Sequence, residues 1–527
     1  MTENMTMREV WAHQCASYSG KEFLVFEDPD TGQVLTYTYA QFDVITSRLS
    51  HTLRKCGVNF ADRVLVLLGN SVEFVAMHLA LGKIGAVLVP MNETSSAAEL
   101  AHCVELTRPK LLVTIAELKQ ALGDMSSDFP VLHSCLERAL LLSVDEQGDV
   151  YAAPETYQDK GTTASSPLGM ESAVGELESV PAHEELAEIM MTSGTTSEPK
   201  GVMLTQHNYV FSGRYVNWEL AMTSRDRYAT AMAVSHVNFQ LSALLPVITA
   251  GCTLVLIKRY SAKSFWGSVR RHRATLVQSM AMMVRTMLRQ PLDKDESMHC
   301  VREVHYFLPL QDHEKTAFEQ RFGVQLLNNY GSTESLVGVI TDYPQGDRNW
   351  PSIGKPGPGY QVEIRNDSGV AVPEGECGTL WIHGEPGKTL MAGYWNDPRA
   401  TAQVMADCWY NSGDLARVDS RGWFYYLGRR SELIKRAGEN ISALEVERVL
   451  AQCPGVNEVC VVGVPDPIRD EAVKAVVVKD ADAMLSSQDV IEFASKQLSY
   501  FKVPTVVTFV DELPRGQYGK VQRKLLK

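Results

Sequence analysis

Short β-branched runs alternating with helical stretches predict an α/β protein, with a large N-terminal body of mostly parallel sheets and helices and a small C-terminal α/β domain. In the body, Arg63–Gly69 (RVLVLLG), Lys83–Pro90, Lys110–Ile115 and Thr253–Lys258 have the length and composition of buried strands, whereas Ser71–Leu81 and Ser264–Arg273 carry helical spacing. A Gly- and Asp-rich stretch ends near Gly428–Ser431, and a separate pattern follows it: a helix at Ser442–Ala451, strands at Glu458–Val464 and Val473–Val478, a helix near Ser487–Gln497 and a strand at Thr505–Val510. The expected domains are therefore 1–429 and 430–527. A chain of 527 residues is longer than a single core usually fills, which agrees with that division. Gln147–Glu184, rich in Gly, Ser, Thr, Glu and Pro, reads as a surface excursion.

Charge and composition exclude several functions. A net charge of −13 argues against nucleic acid or anionic lipid as a partner, so any polyanion must be captured by local features. No stretch is apolar for long enough to span a bilayer, and MTENMTMREVWAHQC lacks the apolar run of a signal peptide. The ten cysteines form no CxxC and no zinc spacing, and they read as ordinary buried thiols of a cytoplasmic protein.

The segment with the clearest chemistry is Ile189–Gly201, IMMTSGTTSEPKG. An apolar strand runs into Thr192, Ser193, Gly194, Thr195, Thr196 and Ser197, whose hydroxyls and turning backbone suit an anion, and Lys200 adds a positive charge. It is not a Walker A loop, because Pro199 precedes the lysine and Gly201 follows it. The run matches the TSGTTxxPKG signature and resembles the adenylate-forming superfamily of acyl-CoA synthetases, peptide-synthetase adenylation domains and luciferases.

Further motifs extend the resemblance from about Tyr37 to Lys527. Within NYGSTE (Asn329–Glu334), it implies that Tyr330 faces adenine, that Gly331, Ser332 and Thr333 contact the nucleotide, and that Glu334 with Thr195 holds Mg²⁺ beside ATP. YNSGDL followed by DSRGWFYYLGR implies Asp414 on the ribose hydroxyls, with Tyr426 and Arg429 also at the nucleotide. In RRSELIKRAGENISALEVE, Lys435 and Gly438 would line a coenzyme A tunnel after the small domain, a mobile lid, rotates about a hinge near Ser431. Glu445 and Glu447 in the same run read as helix-surface residues. In LPRGQYGKVQRK, Lys520 matches the family's catalytic lysine, expected to bridge the substrate carboxylate and the α-phosphate. The implied reaction joins a carboxylic acid to AMP and then to coenzyme A.

The acyl pocket implied by the resemblance draws on His236, Asn238, Phe239, Gln278, Met280, Val337 and Gly338. The chain departs from the family at Ser431, Ala437 and Ala443, and in the run HYFLP, where Tyr306, Phe307 and Leu308 replace small residues and disfavour a deep fatty-acyl tunnel. Lys258–Thr275, Tyr330–Gly354 and Pro465–Ala475 are similar to the carnitine/crotonobetaine–CoA ligase subgroup, which implies a betaine substrate such as carnitine, crotonobetaine or γ-butyrobetaine. A short- or medium-chain acyl-CoA synthetase is one alternative. Another is an amino-acid adenylation enzyme loading a carrier protein, although VSHVNFQ offers no aspartate for an α-amine. The expected partner is a small carboxylic acid, with neither nucleic acid nor membrane insertion, and a homodimer is compatible with the sequence.

Overall fold

The computed structural model describes residues 5–123, 126, 128–145, 148–152, 184–192, 199–436, 439–466, 470–481, 483–498, 500–516 and 520–527. Most of the surface excursion expected at Gln147–Glu184 lies outside them, as do Ser193–Ser197 of the phosphate loop and Gly438. The described chain forms two compact units, one comprising Met1–Arg348, Pro356–Gln361 and His383–Tyr410, the other Asn349–Lys355, Val362–Ile382 and Asn411–Lys527.

The first unit is built on two large sheets. One has a core of six parallel strands in the order Leu326–Tyr330, Glu303–Phe307, Leu276–Met280, Arg227–Thr230, Thr253–Ile257 and Glu22–Glu27. Antiparallel strands Val34–Thr38 and Ile340–Thr341 flank it. The other holds Leu186–Met191, Val87–Met91, Arg63–Leu67, Leu111–Thr114 and Leu140–Val144 in parallel, with Gly201–Thr205 and Gly393–Tyr394 added antiparallel on one side and Val150–Ala152 on the other. These are the near-continuous apolar runs that parallel strands covered on both faces require. The strand expected at Lys83–Pro90 starts late: the helix Val72–Ile84 continues to Gly85, whose φ of +67° ends it in the left-handed region, and the strand is Val87–Met91. Asn329 and Tyr330 of NYGSTE belong to the strand Leu326–Tyr330.

One central strand carries a charge group into this core. Glu188 is fully buried and accepts a 2.8 Å hydrogen bond from Tyr209, whose ring lies against His78 at 5.4 Å. Burial pushes the Glu188 carboxyl up to about 8 and the His78 imidazole down to about 4, so both are neutral near pH 7. Because the folded-state value lies above the ordinary 4.5, the neutral carboxyl's stabilisation is complete below that value and is lost as pH rises through about 8. Glu188→Gln is expected to remove this dependence. Urea midpoints of wild type should fall between pH 5 and 9, and those of the variant should change less.

In the second unit, Asp414–Val418 of the strand Trp409–Val418 forms a hairpin with Phe424–Arg429, closed by a turn in which Asp419 accepts from the backbone of Arg421 and Trp423. The C-terminal sheet joins Leu433–Arg436, Glu439–Ser442, Val456–Asp466 and Asp470–Lys479, with Val506–Phe509 parallel to the last. Ser442 caps the helix Ala443–Leu450 through the amide of Glu445, and Val446 and Leu450 of that helix pack with Ile434, Val461 and Val473. Glu447 is not a surface residue. It is buried and accepts the amide of Val461 at 2.6 Å, and its two oxygens take the guanidinium of Arg523 at 2.5 and 2.9 Å. Glu445, half-buried, pairs with Lys502 at 2.6 Å.

Candidate active site

The motif residues of the first unit gather where the parallel strands end, the edge at which open α/β sheets bind ligands. Met280, Phe307 and Asn329 are register partners on three adjacent strands and stand in a row along that edge, with Leu308 and Tyr330 one residue further on. Beyond Tyr330 the chain turns tightly. A Cβ on Gly331 would stand 2.0 Å from the carbonyl oxygen of Val337, which excludes any side chain there. Ser332 and Ser335 cap each other's amides at 2.9 and 3.3 Å, which fixes the loop that presents Thr333 and Glu334.

The phosphate loop springs from a hairpin. Leu186–Met191 pairs antiparallel with Gly201–Thr205, and Thr192 donates its amide to the Lys200 carbonyl at 2.9 Å, closing the base beneath the residues not described. Lys200 lies 4.9 Å over the ring of Tyr394. The Tyr394 hydroxyl donates to Glu334 Oε1 at 2.9 Å, and the amide of Met391 donates to the Glu334 carbonyl, also at 2.9 Å. One phenol thus joins the base of the phosphate loop to the carboxylate of NYGSTE. Sequence reasoning missed Tyr394. The available signal was GYWNDP, an aromatic on a short strand, followed by an Asp-Pro helix start in which Asp397 caps Ala400.

Of the pocket residues, Gln278 is buried and its amide is committed at both ends: it accepts from Thr230 and donates to the Asn238 carbonyl, each at 2.6 Å. His236 accepts the amide of Asn238 at 3.1 Å and caps a short helix. Phe239 is fully buried, edge-on to Phe74. Val337 is buried, and Gly338 leaves no room for a Cβ against Asn329. The bulk in HYFLP is divided by the end of the strand at Phe307. Tyr306 points into the core, whereas Leu308 is 41% exposed at the sheet edge with φ +80°, a conformation that β-carbon residues seldom adopt.

In the second unit, Asp414 and Arg429 are register partners on the hairpin, with Oδ1 and Nε 3.2 Å apart, and Asp414 is buried. Burial, with Asp414 nearby, raises the Tyr426 hydroxyl far above its ordinary value. Lys435 lies on Leu433–Arg436 opposite Asn440. Lys520 is exposed; its carbonyl accepts from the amide of Gly516, and the Pro514 carbonyl from that of Gln522, both at 2.8 Å. No cluster of three or more metal-ligating side chains occurs among the described residues, and none of their helices is long and apolar enough to cross a membrane.

A two-sheet α/β body that brings Lys200, at the base of a hairpin, and the Glu334 carboxylate together on one phenol at the ends of its parallel strands is the architecture of a nucleotide-activating ligase. The chain belongs to the AMP-binding enzyme family: that family's model matches residues 11–395, and the AMP-binding enzyme C-terminal domain matches 445–520. It is an AMP-forming acid–thiol ligase, and ATP, coenzyme A and a small carboxylic acid are the substrates of that class. Among known proteins it is 37% identical to the crotonobetaine/carnitine–CoA ligase of Citrobacter koseri, over 99% of this chain and 98% of that one. The Proteus mirabilis protein of the same name is 38% identical, with the same coverage of both chains. Its fold matches ATP-bound MatB from Rhodopseudomonas palustris with a TM-score of 0.84 at 24% identity, covering 99% of this chain and 98% of that one.

Proposed function

We propose that this ligase converts a betaine-type acid, namely crotonobetaine, carnitine or γ-butyrobetaine, to its coenzyme A thioester through an acyl-adenylate. The supporting observation is the full-length similarity, at 37–38% identity, to proteins named for that reaction. A carboxylate is a poor electrophile, so it first attacks the α-phosphorus of ATP and pyrophosphate leaves. The thiol then attacks the acyl carbonyl and AMP leaves. The phosphate loop from Thr192 to Lys200, with Ser193, Gly194, Thr195 and Thr196, holds the phosphates, and Tyr330 through Thr333 hold the base and α-phosphate. Asp414, Tyr426 and Arg429 hold the ribose. Lys520 neutralises the charge that develops as the α-phosphorus becomes pentavalent. Glu334 suits Mg²⁺: Tyr394 occupies one of its oxygens, and the half-buried carboxylate keeps the other, which fits a cation held mainly by phosphates and water. Mg²⁺ would supply charge neutralisation on the triphosphate.

For the second step, rotation of a C-terminal domain, residues 430–527, about Ser431 replaces Lys520 with the Lys435–Gly438 face, along which pantetheine enters. The pocket from His236 to Gly338 holds the acid, and the bulk of Phe307 and Leu308 favours a short one. A cytoplasmic setting agrees with the ten free thiols.

The deciding experiment incubates the protein with ATP, Mg²⁺, coenzyme A and a panel of crotonobetaine, carnitine, γ-butyrobetaine, butyrate, octanoate and amino acids. AMP release and acyl-CoA mass are followed. A betaine thioester is expected. A thioester from octanoate but from no betaine would refute the substrate, and AMP release independent of coenzyme A would move the acceptor to a carrier thiol.

A further inference from the structure

The basic run RRHRAT of Arg270–Thr275 has no role in the ligase reaction described above. It lies at the opposite edge of the six-stranded sheet, where the parallel strands begin. Arg227 opens its strand, Thr275 immediately precedes Leu276–Met280, and Glu22 opens Glu22–Glu27. These residues line a cleft of about 510 Å³ together with Arg225, Arg271, His272, Arg273 and Cys300. The cleft is open to solvent.

The charges of the cleft are only partly matched. Arg227 is committed to Glu22 at 2.6 Å and to the His272 carbonyl at 2.7 Å. Arg271 pairs with Glu27, which also takes His272 at 2.6 Å. The side chains of Arg225 and Arg273 make no hydrogen bond or ion pair with the described residues, and both are exposed. With Glu22 and Glu27 set against Arg227 and Arg271, the cleft holds a surplus of two positive charges in a chain whose net charge is −13. Arginines placed only to complement the end of the Phe265–Arg271 helix would account for Arg270 and Arg271, since that effect fades beyond the last turn. Arg225 comes from a different loop, and Arg273 lies past the helix with φ +51°.

We propose that this cleft binds a phosphate dianion, free or as a monoester, through the forked guanidiniums of Arg225 and Arg273, apart from the edge that carries NYGSTE. Two arginine forks match the charge and the planar donor geometry that a dianionic phosphate requires. The group could arrive as free phosphate or as the 3′-phosphate of a nucleotide, and the arms of the test distinguish these sources.

Cys300, exposed in the cleft, supplies the reporter, and exposed Cys408 supplies an internal control. Alkylation at each cysteine is followed by peptide mass in the full-length protein, with 5′-O-sulfamoyladenosine, which carries no phosphate, saturating the nucleotide site. Inorganic phosphate or adenosine 3′,5′-bisphosphate is titrated against potassium chloride of matched ionic strength. Phosphate is expected to slow alkylation of Cys300 but not of Cys408. In Arg225→Ser/Arg273→Ser the same protection should need about tenfold more phosphate or greater, the loss of about 1.4 kcal/mol or more of charge-assisted bonding. Bisphosphate protecting at lower concentration than phosphate would identify a nucleotide ligand, whereas equal potency would identify the phosphate group alone. Either order upholds the site. An unchanged thermal midpoint certifies the fold of the double variant, and Arg225→Lys/Arg273→Lys, which keeps charge but loses the fork, should bind at an intermediate level. No protection of Cys300 in the wild type, equal protection by chloride, or undiminished protection in the serine variant would overturn the proposal.

Discussion

Lys520→Ala is expected to slow formation of the acyl-adenylate by about 10²–10³-fold, the usual consequence of removing one group that stabilises transition-state charge. The lysine's backbone carbonyl accepts from Gly516, and Gln522 donates to Pro514 alongside, so the alanine, which keeps these backbone bonds, should leave the local fold intact. Pyrophosphate exchange measures the first step alone. Thioester formation from supplied acyl-adenylate and coenzyme A measures the second, for which the proposed rotation removes Lys520 from the site. The first should collapse and the second survive. Equal loss in both would mean that the lysine holds the nucleotide throughout, and no loss in exchange would remove it from catalysis.

The second large effect concerns stability. Arg523→Ala should destabilise the C-terminal unit by about 3–5 kcal/mol, because it leaves the Glu447 carboxylate buried without its partner. Burial alone would lower the affinity of Arg523 for its proton, but Glu447 beside it more than offsets this, and the guanidinium is held above its ordinary value. Arg523 also donates to the Val461 carbonyl at 2.7 Å, so the alanine strands two acceptors. Urea unfolding followed by circular dichroism should resolve an early transition for this unit. Glu447→Gln/Arg523→Met, which removes both charges, should recover much of the loss. A single unshifted transition in the alanine variant would show that the pair contributes little.

The sequence made the elements legible wherever period and punctuation agreed. Runs such as RVLVL and TLVLI became parallel strands, and ALEVERVL became a helix capped by Ser442. Two of the motifs fall at strand ends, Tyr330 closing Leu326–Tyr330 and Thr192 and Lys200 closing the base of the hairpin of Leu186–Met191 with Gly201–Thr205. Pairings between distant segments were not legible. Glu447 follows the spacing of a solvent face, and nothing near it announces Arg523, 76 residues later. Cys300, Cys377 and Cys408 read as buried thiols but are exposed, because composition does not say which loop a thiol will occupy. Glu188, in the apolar run LAEIMM, gave no sign of the Tyr209 and His78 that keep it neutral. Tyr394 lies 60 residues beyond the carboxylate it holds. Helical and strand periods describe a chain against its own axis, and they carry no information about the partner across a sheet.

The contact through Tyr394 has a consequence for how such a chain can vary. The base of the phosphate loop and the carboxylate of NYGSTE are separate words in the sequence, yet a single ring touches the lysine of one and the acid of the other. A replacement in either word alters the electrostatic setting of its counterpart, so their effects will not be independent. For heredity the two words behave as one locus: an exchange tolerated in one background will be refused in another, according to what stands at the far side of the phenol.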